Sequence, residues 1–203
     1  MMPDSPHASH HPKALPRATM LAHSWVAAHL ASGGVAIDAT AGNGHDTLFL
    51  AQHCGPTGAV HAFDIQAEAI HRTQTRLNAA DIRNVTVHQC CHSQMADRVD
   101  NTLSGQVDAI TFNLGYLPGG DKSCITRRDS TLLAIERGLS LLAPGGIMTI
   151  VIYTGHADGI DEADAVEAYV TQLPPTEWHA AHYRPLSQSN RPPELIGVAR
   201  WRP

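Results

Sequence analysis

The chain has 203 residues, of which 43% are hydrophobic and 16% charged, a length and composition that suit one soluble globular domain with a full core. Its longest apolar runs fall far below the ~20 residues that cross a bilayer, so no membrane span is expected. A formal net charge of −5 excludes a protein that coats nucleic acid nonspecifically, and a nucleic-acid partner would need a local basic patch.

The first segment of the chain, residues 1–13, is rich in histidine and proline, and we expect it to be a disordered leader. It lacks a basic stretch followed by an apolar run, so it is not a secretory signal, and a cytoplasmic protein is expected. The 4 cysteines have no C-x-x-C spacing, which predicts reduced thiols. No histidine lies in an H-E-x-x-H pattern, so no metal site is expected.

After the leader, helical and strand patterns alternate, which predicts one domain over residues 14–203. Apolar residues at helical spacing before a glycine pair indicate a first helix. The first half of the expected order is a helix at 14–31, a strand at 35–39, a helix at 46–54, a strand at 60–64, a helix at 66–79, a strand at 85–90, a helix between residues 93 and 103, and a strand at 107–112.

The second half of the chain predicts a helix at 132–142, a Pro-Gly-Gly turn at 144–146, a strand at 147–153, a helix at 162–173, and an antiparallel hairpin of segments 178–186 and 195–201. Continuous apolar strands that alternate with helices indicate a parallel sheet covered on both faces. The expected fold class is therefore α/β and Rossmann-like: a doubly wound, mostly parallel sheet of seven strands with an antiparallel last strand.

A glycine-rich turn follows the first strand. Ligands of doubly wound sheets bind beyond the carboxyl ends of the strands, where the winding reverses. In the sequence Asp38-Ala-Thr-Ala-Gly-Asn-Gly-His-Asp-Thr47, Gly42 and Gly44 allow close approach to a ligand, and the next helix presents free N–H groups. Asp64 ends the second strand, the position from which a carboxylate accepts hydrogen bonds from ribose hydroxyls. Turn and acid together predict an adenosine cofactor.

Two features limit this interpretation. Thr47 stands where the G-x-G-x-x-G fingerprint has its third glycine, which disfavours a nicotinamide dehydrogenase. The alternative without a ligand is that Gly42 and Gly44 only allow the strand and the next helix to pack closely, and that Asp64 only caps the helix that follows it. At the end of the third strand, His92 and Ser93 offer a contact to an adenine ring, although Ser93 also suits a helix N-cap.

The fourth strand is followed by Phe112-Asn-Leu-Gly-Tyr-Leu-Pro-Gly-Gly-Asp-Lys122. This segment is similar to the Asn/Asp-Pro-Pro-Tyr loop of amino-directed methyltransferases, with Leu-Gly in place of Pro-Pro. In those enzymes, the amide oxygen and a backbone carbonyl of the loop accept hydrogen bonds from the amine, and the aromatic ring stacks on the base. Asn113, the carbonyl of Leu114 and Tyr116 are the matching groups. The alternative is a Gly/Pro-rich loop in which Tyr116 fills the core.

Charged residues accompany this loop. Asp121 either accepts a proton from the amine or pairs with Lys122, and the sequence leaves both open. Lys122, Arg127 and Arg128 form a small basic cluster that suits either a phosphate contact or a solvated surface.

Four motifs together resemble one family: residues 38–47, residues 113–122, Tyr153-Thr-Gly-His156 and Asn190-Arg-Pro-Pro193. Over residues 18–200 the chain is similar to the small class I methyltransferases labelled rRNA methylases, a group that includes tRNA 5-aminomethyl-2-thiouridine methyltransferases. The resemblance implies S-adenosyl-L-methionine as cofactor, N-methylation of the aminomethyl group on the wobble uridine of tRNA, and a homodimer. The alternatives are an rRNA, protein or small-molecule methyltransferase on the same scaffold, and a non-catalytic nucleotide- or RNA-binding module.

The resemblance also implies two sets of site residues. With the turn residues included, the cofactor set is Asp38, Gly42, Asn43, Gly44, Asp46, Asp64, Gln66, His92, Ser93 and Asn113. The set that would face the nucleoside is Asn113, Tyr116, Asp121, Tyr153 and His156. Leu114 joins the substrate residues through the loop comparison above, and Lys122 and Arg127 join them as candidate phosphate contacts of the basic cluster. Among these, Asn113, Tyr116 and Asp121 are the candidate catalytic residues.

Overall fold

The computed structural model describes residues 15–115, 126–155, 157–186 and 191–202, so the leader expected at residues 1–13 lies outside the described residues. One sheet has the strand order β3-β2-β1-β4-β5-β7-β6. Its strands are β1 Val35–Asp38, β2 Ala59–Asp64, β3 Val85–Gln89, β4 Val107–Leu114, β5 Leu142–Ile152, β6 Trp178–Tyr183 and β7 Glu194–Arg200. The α-helices are α1 Ala18–His29, α2 His45–Cys54, α3 Ala67–Ala79, α4 Met95–Arg98, α5 Arg128–Leu141 and α6 Ala157–Val170.

The first five strands are parallel, and the winding reverses between β1 and β4, which are neighbours in the sheet. Both faces of the sheet are covered. In β1, the fully buried Ala36 packs with residues of α1 and α2, whereas the fully buried Ile37 packs with residues of α4, α5 and α6. Burial on both faces explains why the strands are continuous apolar runs, and it confirms the predicted doubly wound α/β class.

The last two strands form the expected hairpin. β7 lies between β5 and β6 and is antiparallel to both, with Trp178 opposite Arg200 and Tyr183 opposite Leu195. The prediction of a mostly parallel seven-stranded sheet with an antiparallel last strand is therefore confirmed.

Three strand boundaries differ from expectation by two residues or more. The first is the end of β6, which lies at Tyr183 rather than at 186. β4 runs two residues further, to Leu114, because Asn113 and Leu114 pair with Val151 and Ile152 of β5. β5 begins at Leu142 rather than after the Pro-Gly-Gly sequence. The register jumps from Val107–Leu142 to Ala109–Ile147, so the expected turn is a bulge within the strand.

Four helical predictions also needed correction. α1 spans Ala18–His29 rather than 14–31, because Arg17 before it and Leu30 after it are extended. The helix expected between residues 93 and 103 is broken into two 3₁₀ turns, His92–Gln94 and Asn101–Leu103, on either side of the single-turn α4. α5 begins four residues before the expected 132, and α6 spans Ala157–Val170 rather than 162–173. Both early starts carry aspartate in the first turn, where the helix dipole favours negative charge.

The N-terminal helix α1 is anchored to the sheet through Trp25. A Cβ atom built on Gly197 of β7 would lie only 2.5 Å from Cζ3 of the Trp25 indole, so the ring covers that glycine closely. Ala18 and Ala22 of α1 pack with Val151 and Leu195 in the same region. This contact fixes α1 across β5 and β7.

Gly197→Ala is expected to lower the free energy of unfolding by about 1–3 kcal/mol, because the added methyl group overpacks the Trp25 contact. The matched control is Gly155→Ala, since a Cβ atom there meets no heavy atom within 4 Å. Urea denaturation of both variants measures the difference. Equal stability of the two variants would contradict the close contact.

Candidate active site

A cavity of about 470 Å³ opens at the carboxyl ends of β1, β2 and β4, where the winding of the sheet reverses. Binding sites of doubly wound sheets lie at this place. The residues that line it are Thr19, His23, Ala39, Thr40, Ala41, Gly42, Asn43, His45, Asp46, Asp64, Ile65, Gln66, Cys91, His92, Asn113, Gly115, Thr126, Ser130 and Tyr153.

The glycine turn forms one wall of the cavity. Gly42 and Gly44 adopt positive φ angles of 52° and 75°, which favour glycine. A Cβ atom on Gly44 would lie 2.8 Å from Cα of Thr73, so α3 packs directly against the turn. Gly44 is also the N-cap of α2 and has no side chain to bind the free N–H groups there, which leaves them available to a ligand.

Asp38 supports the turn from beneath and does not line the cavity. Its fully buried carboxylate accepts hydrogen bonds from Thr47 Oγ1 at 2.6 Å and from the Thr40 N–H at 3.1 Å. Burial, reinforced by the negative charge of Asp46, raises the pKa of Asp38 to about 7. Thr47, at the place of the missing third glycine, therefore has a structural role in the turn.

The raised pKa of Asp38 predicts a pH-dependent stability. The folded state holds this proton more tightly than the unfolded chain, where the ordinary pKa is 3.8. The stabilisation is therefore fully present below that value and is lost as the pH rises through about 7. Urea unfolding of the protein without cofactor is expected to show stability falling across this window, and Asp38→Asn is expected to flatten the fall.

The control for this experiment is Asp81→Asn, because Asp81 is an exposed aspartate whose carboxylate pairs with Arg83. Burial raises the pKa of Asp64 as well, so some slope is expected to remain in Asp38→Asn. A slope identical to that of the parent protein would overturn the interpretation.

Asp64 joins two segments of the cavity wall. Its Oδ2 accepts the Gly42 N–H at 3.0 Å, and its Oδ1 accepts the Gln66 N–H at 2.9 Å just before α3. An ionised carboxylate has about four acceptor positions, so roughly two remain for a ligand. The helix-capping alternative does not hold in its simple form, because Asp64 contacts the N-cap residue Gln66 itself and α3 has no side-chain cap.

Asn113 lies at the end of β4 and is held from two sides. Its backbone N–H donates to Thr40 Oγ1 at 2.7 Å, and its side-chain Nδ2 donates to Asp46 Oδ2. Since a carboxylate can only accept, the amide nitrogen must face Asp46 and the amide oxygen must point away from it. The arrangement leaves the Asn113 oxygen as an acceptor.

His23 of α1 completes this chain of contacts and was missed by sequence reasoning. Its Nε2 lies 2.7 Å from Asp46 Oδ1, and its ring stacks on Phe49 with centroids 4.0 Å apart. The available signal was the pair Thr19 and His23, spaced i, i+4 beside the apolar stripe of α1.

His92 forms the base of the cavity at the end of β3. It is buried and packs edge-on against Phe112, and burial lowers its pKa to about 4. Its Nε2 atom is buried without a hydrogen-bond partner among the described residues. A buried polar atom without a partner at a cavity wall is typical of a ligand contact.

Further lining residues come from the end of β4, from the start of α5 with the residue pair before it, and from the residue after β5: Asn113, Gly115, Thr126, Ser130 and Tyr153. The carbonyl of Gly115 accepts the Thr126 N–H at 3.0 Å, which joins the two residues that flank segment 116–125. The Leu114 carbonyl, expected to hold an amine, accepts the Tyr153 N–H at 3.1 Å, so any such contact is shared with the sheet.

The predicted site residues therefore fall into three groups. Those that line the cavity are Gly42, Asn43, Asp46, Asp64, Gln66, His92, Asn113 and Tyr153. Those that are described but do not line it are Asp38, Gly44, Ser93, Leu114 and Arg127. Those outside the described residues are Tyr116, Asp121, Lys122 and His156. The Ser93 hydroxyl contacts Cys91 Sγ at 3.1 Å, and Arg127 is exposed.

No helix within the described ranges is both long and apolar enough to cross a membrane. Within those ranges, no three His, Cys, Asp or Glu side chains group as metal ligands.

Comparisons with known proteins agree with this geometry. Residues 60–199 match the family described as "Putative rRNA methylase". An Arabidopsis thaliana protein named "tRNA (mnm(5)s(2)U34)-methyltransferase, chloroplastic" is 38% identical over 185 residues, which cover 87% of this chain and 66% of the plant protein.

Solved structures are similar over nearly the whole chain. A Clostridium thermocellum "putative rRNA-methylase" has a TM-score of 0.88 at 33% identity, with 93% of this chain and 100% of that chain covered. A Streptococcus mutans "putative methyltransferase" in complex with SAH has a TM-score of 0.83 at 35% identity, with 92% and 99% covered. By these matches and by its fold, the chain belongs to the rRNA methylase family of S-adenosylmethionine-dependent methyltransferases.

Proposed function

We propose that this methyltransferase acts on tRNA and converts 5-aminomethyl-2-thiouridine at the wobble position to 5-methylaminomethyl-2-thiouridine. The observation that carries the proposal is the 38% identity to a plant enzyme whose name states this nucleoside. The amide oxygen that Asn113 leaves as an acceptor on the cavity wall suits an amine, which adds independent chemical support.

The cavity fits S-adenosyl-L-methionine by three features: a glycine turn in which Gly42 lines the cavity at a positive φ angle, a carboxylate with acceptor positions left, and a buried imidazole nitrogen without a partner among the described residues. We assign the ribose hydroxyls to Asp64 and the adenine end to His92, with the turn at Gly42 supplying backbone contacts. Asn43, Asp46, Gln66 and Ser93 complete the proposed set, and Asp38 and Gly44 shape the turn.

When bound, S-adenosylmethionine supplies a methyl group on a sulfonium, and its transfer forms an N–C bond to the amine while the C–S bond breaks. The protein's part is to hold the amine in line and unprotonated. The Asn113 oxygen accepts one amine hydrogen, which directs the nitrogen lone pair toward the cavity. The extra proton leaves to water or, by the motif resemblance, to Asp121.

The remaining assignments rest on the motif resemblance. Tyr116 covers the uracil ring, Tyr153 and His156 face the nucleoside, and Lys122 and Arg127 contact phosphates of the anticodon region. We further propose that residues 14–203 are one catalytic domain, that the enzyme is a cytoplasmic homodimer, and that the carbonyl of Leu114 assists Asn113.

The test uses purified full-length protein, S-adenosylmethionine and tRNA that carries 5-aminomethyl-2-thiouridine, followed by mass spectrometry of the digested nucleosides. Conversion to the methylated nucleoside is expected. The matched control is the same tRNA without the aminomethyl group, which we expect to remain unmethylated.

The alternatives predict other results. Methylation of rRNA but not of the aminomethyl tRNA would favour the activity that the family description states. An unmodified tRNA pool together with a methylated small molecule or protein would favour a different substrate on the same scaffold. Binding of NAD, with no binding of S-adenosylmethionine or S-adenosylhomocysteine, would overturn the cofactor assignment.

A further inference from the structure

We infer that His23 is a positioning residue for methyl transfer, which acts through Asp46 to fix the orientation of the Asn113 amide. The inference rests on the proposed function, because it takes Asn113 as the residue that holds the substrate amine. His23 belongs to α1, Asp46 to α2 and Asn113 to β4, so three elements meet in one chain of hydrogen bonds.

The direction of each hydrogen bond follows from the carboxylate in the middle. An ionised carboxylate donates nothing, so His23 must present Nε2–H to Asp46 Oδ1, and Asn113 must present its amide N–H to Asp46 Oδ2. With both oxygens engaged, Asp46 cannot rotate without losing a partner. The Asn113 oxygen is then held in one of its two possible orientations, the one that accepts an amine hydrogen.

The environment of His23 holds the imidazole in place. Its ring stacks almost parallel to the ring of Phe49, at an interplanar angle of 5° and a centroid distance of 4.0 Å. Phe49 also stacks on His53, at 5.6 Å, but no hydrogen bond links His53 to Asp46. His53 therefore shares the aromatic contact of His23 without its hydrogen bond, which makes it a matched control.

A merely structural role predicts a different outcome from a positioning role. If stacking on Phe49 is what matters, then His23→Phe preserves the role of His23 and His23→Gln does not. If the hydrogen bond to Asp46 matters, then His23→Gln preserves it through the amide N–H, and His23→Phe loses it. The His23 side chain is 36% exposed and Asp46 keeps the hydrogen bond from Asn113, so each change is expected to cost only a small part of the stability.

The experiment measures kcat and KM for aminomethyl tRNA, calorimetric affinity for S-adenosylhomocysteine, and the melting temperature. His23→Phe is expected to lower kcat about 10- to 100-fold with unchanged S-adenosylhomocysteine affinity, because the amide is no longer fixed. His23→Gln is expected to stay within about threefold of the parent, and His53→Ala to match it.

A double-mutant cycle gives the second readout. In an Asn113→Ala background, His23→Phe is expected to have no further effect on kcat, since the residue that it positions is absent. An equal additional loss in that background would overturn the inference, as would full activity of His23→Phe. A parent protein without activity on aminomethyl tRNA would instead overturn the proposed function, so the two failures are distinguishable.

Discussion

Asp64→Ala is expected to weaken S-adenosylhomocysteine binding about 100-fold, because two charge-assisted hydrogen bonds of ~1.5 kcal/mol each are lost. The loss includes the support that Asp64 gives the turn through the Gly42 N–H. Isothermal titration calorimetry measures the affinity directly. Methyl transfer at low cofactor concentration is expected to fall by the same factor, and saturating cofactor is expected to restore most of it.

The matched control is Glu68→Ala, which removes a carboxylate near the start of α3 that pairs with Arg72 and does not line the cavity. Its cofactor affinity is expected to equal that of the parent. Asp64→Asn, which keeps an acceptor oxygen without the charge, is expected to give an intermediate affinity. Parent-like binding by Asp64→Ala would show that the assigned pocket is wrong.

Asn113→Ala is expected to lower kcat on aminomethyl tRNA about 100- to 1,000-fold, because a positioned hydrogen-bond acceptor is removed from the reacting amine. Affinity for S-adenosylhomocysteine is expected to change much less. Single-turnover kinetics and calorimetry separate the two effects. Asn113→Asp is expected to fail as well, because it places a second carboxylate against Asp46.

The control for this experiment is Asn101→Ala, because Asn101 is exposed in a 3₁₀ turn and does not line the cavity. It is expected to keep the kinetic constants of the parent. If Asn113→Ala lost cofactor binding and kept its kcat, Asn113 would belong to the cofactor pocket and not to the amine site.

The sequence predicted the sheet well because its strands are short apolar runs that end in residues with distinct roles. β2 ends at Asp64 as predicted, and β1 ends at Asp38, one residue before the expected 39. Asn113 was expected in a loop because a polar residue does not suit a buried strand. Pairing with Val151 of β5 keeps it in β4, and pattern reasoning along one segment does not reveal such pairing.

Prediction of the site was most successful where consecutive residues follow one strand. The turn at Gly42 and Gly44 is local in the chain, so its shape could be anticipated from glycine alone. The role of His23 could not be predicted from the sequence, because it depends on Asp46 and Asn113, which only the folded sheet brings near α1. The i, i+4 spacing of Thr19 and His23 marks one face of α1, but it does not reveal the long-range contact to Asp46.

The hydrogen bond from the Gly42 N–H to Asp64 Oδ2 links the two segments that follow β1 and β2. Segments that the protein itself holds in place lose little conformational entropy on association with a nucleoside, so more of the contact energy appears as affinity. Because this hydrogen bond links the two segments, a substitution in either segment also alters the position of the other. Substitutions in the glycine turn and substitutions at Asp64 are therefore expected to have inseparable effects on cofactor affinity.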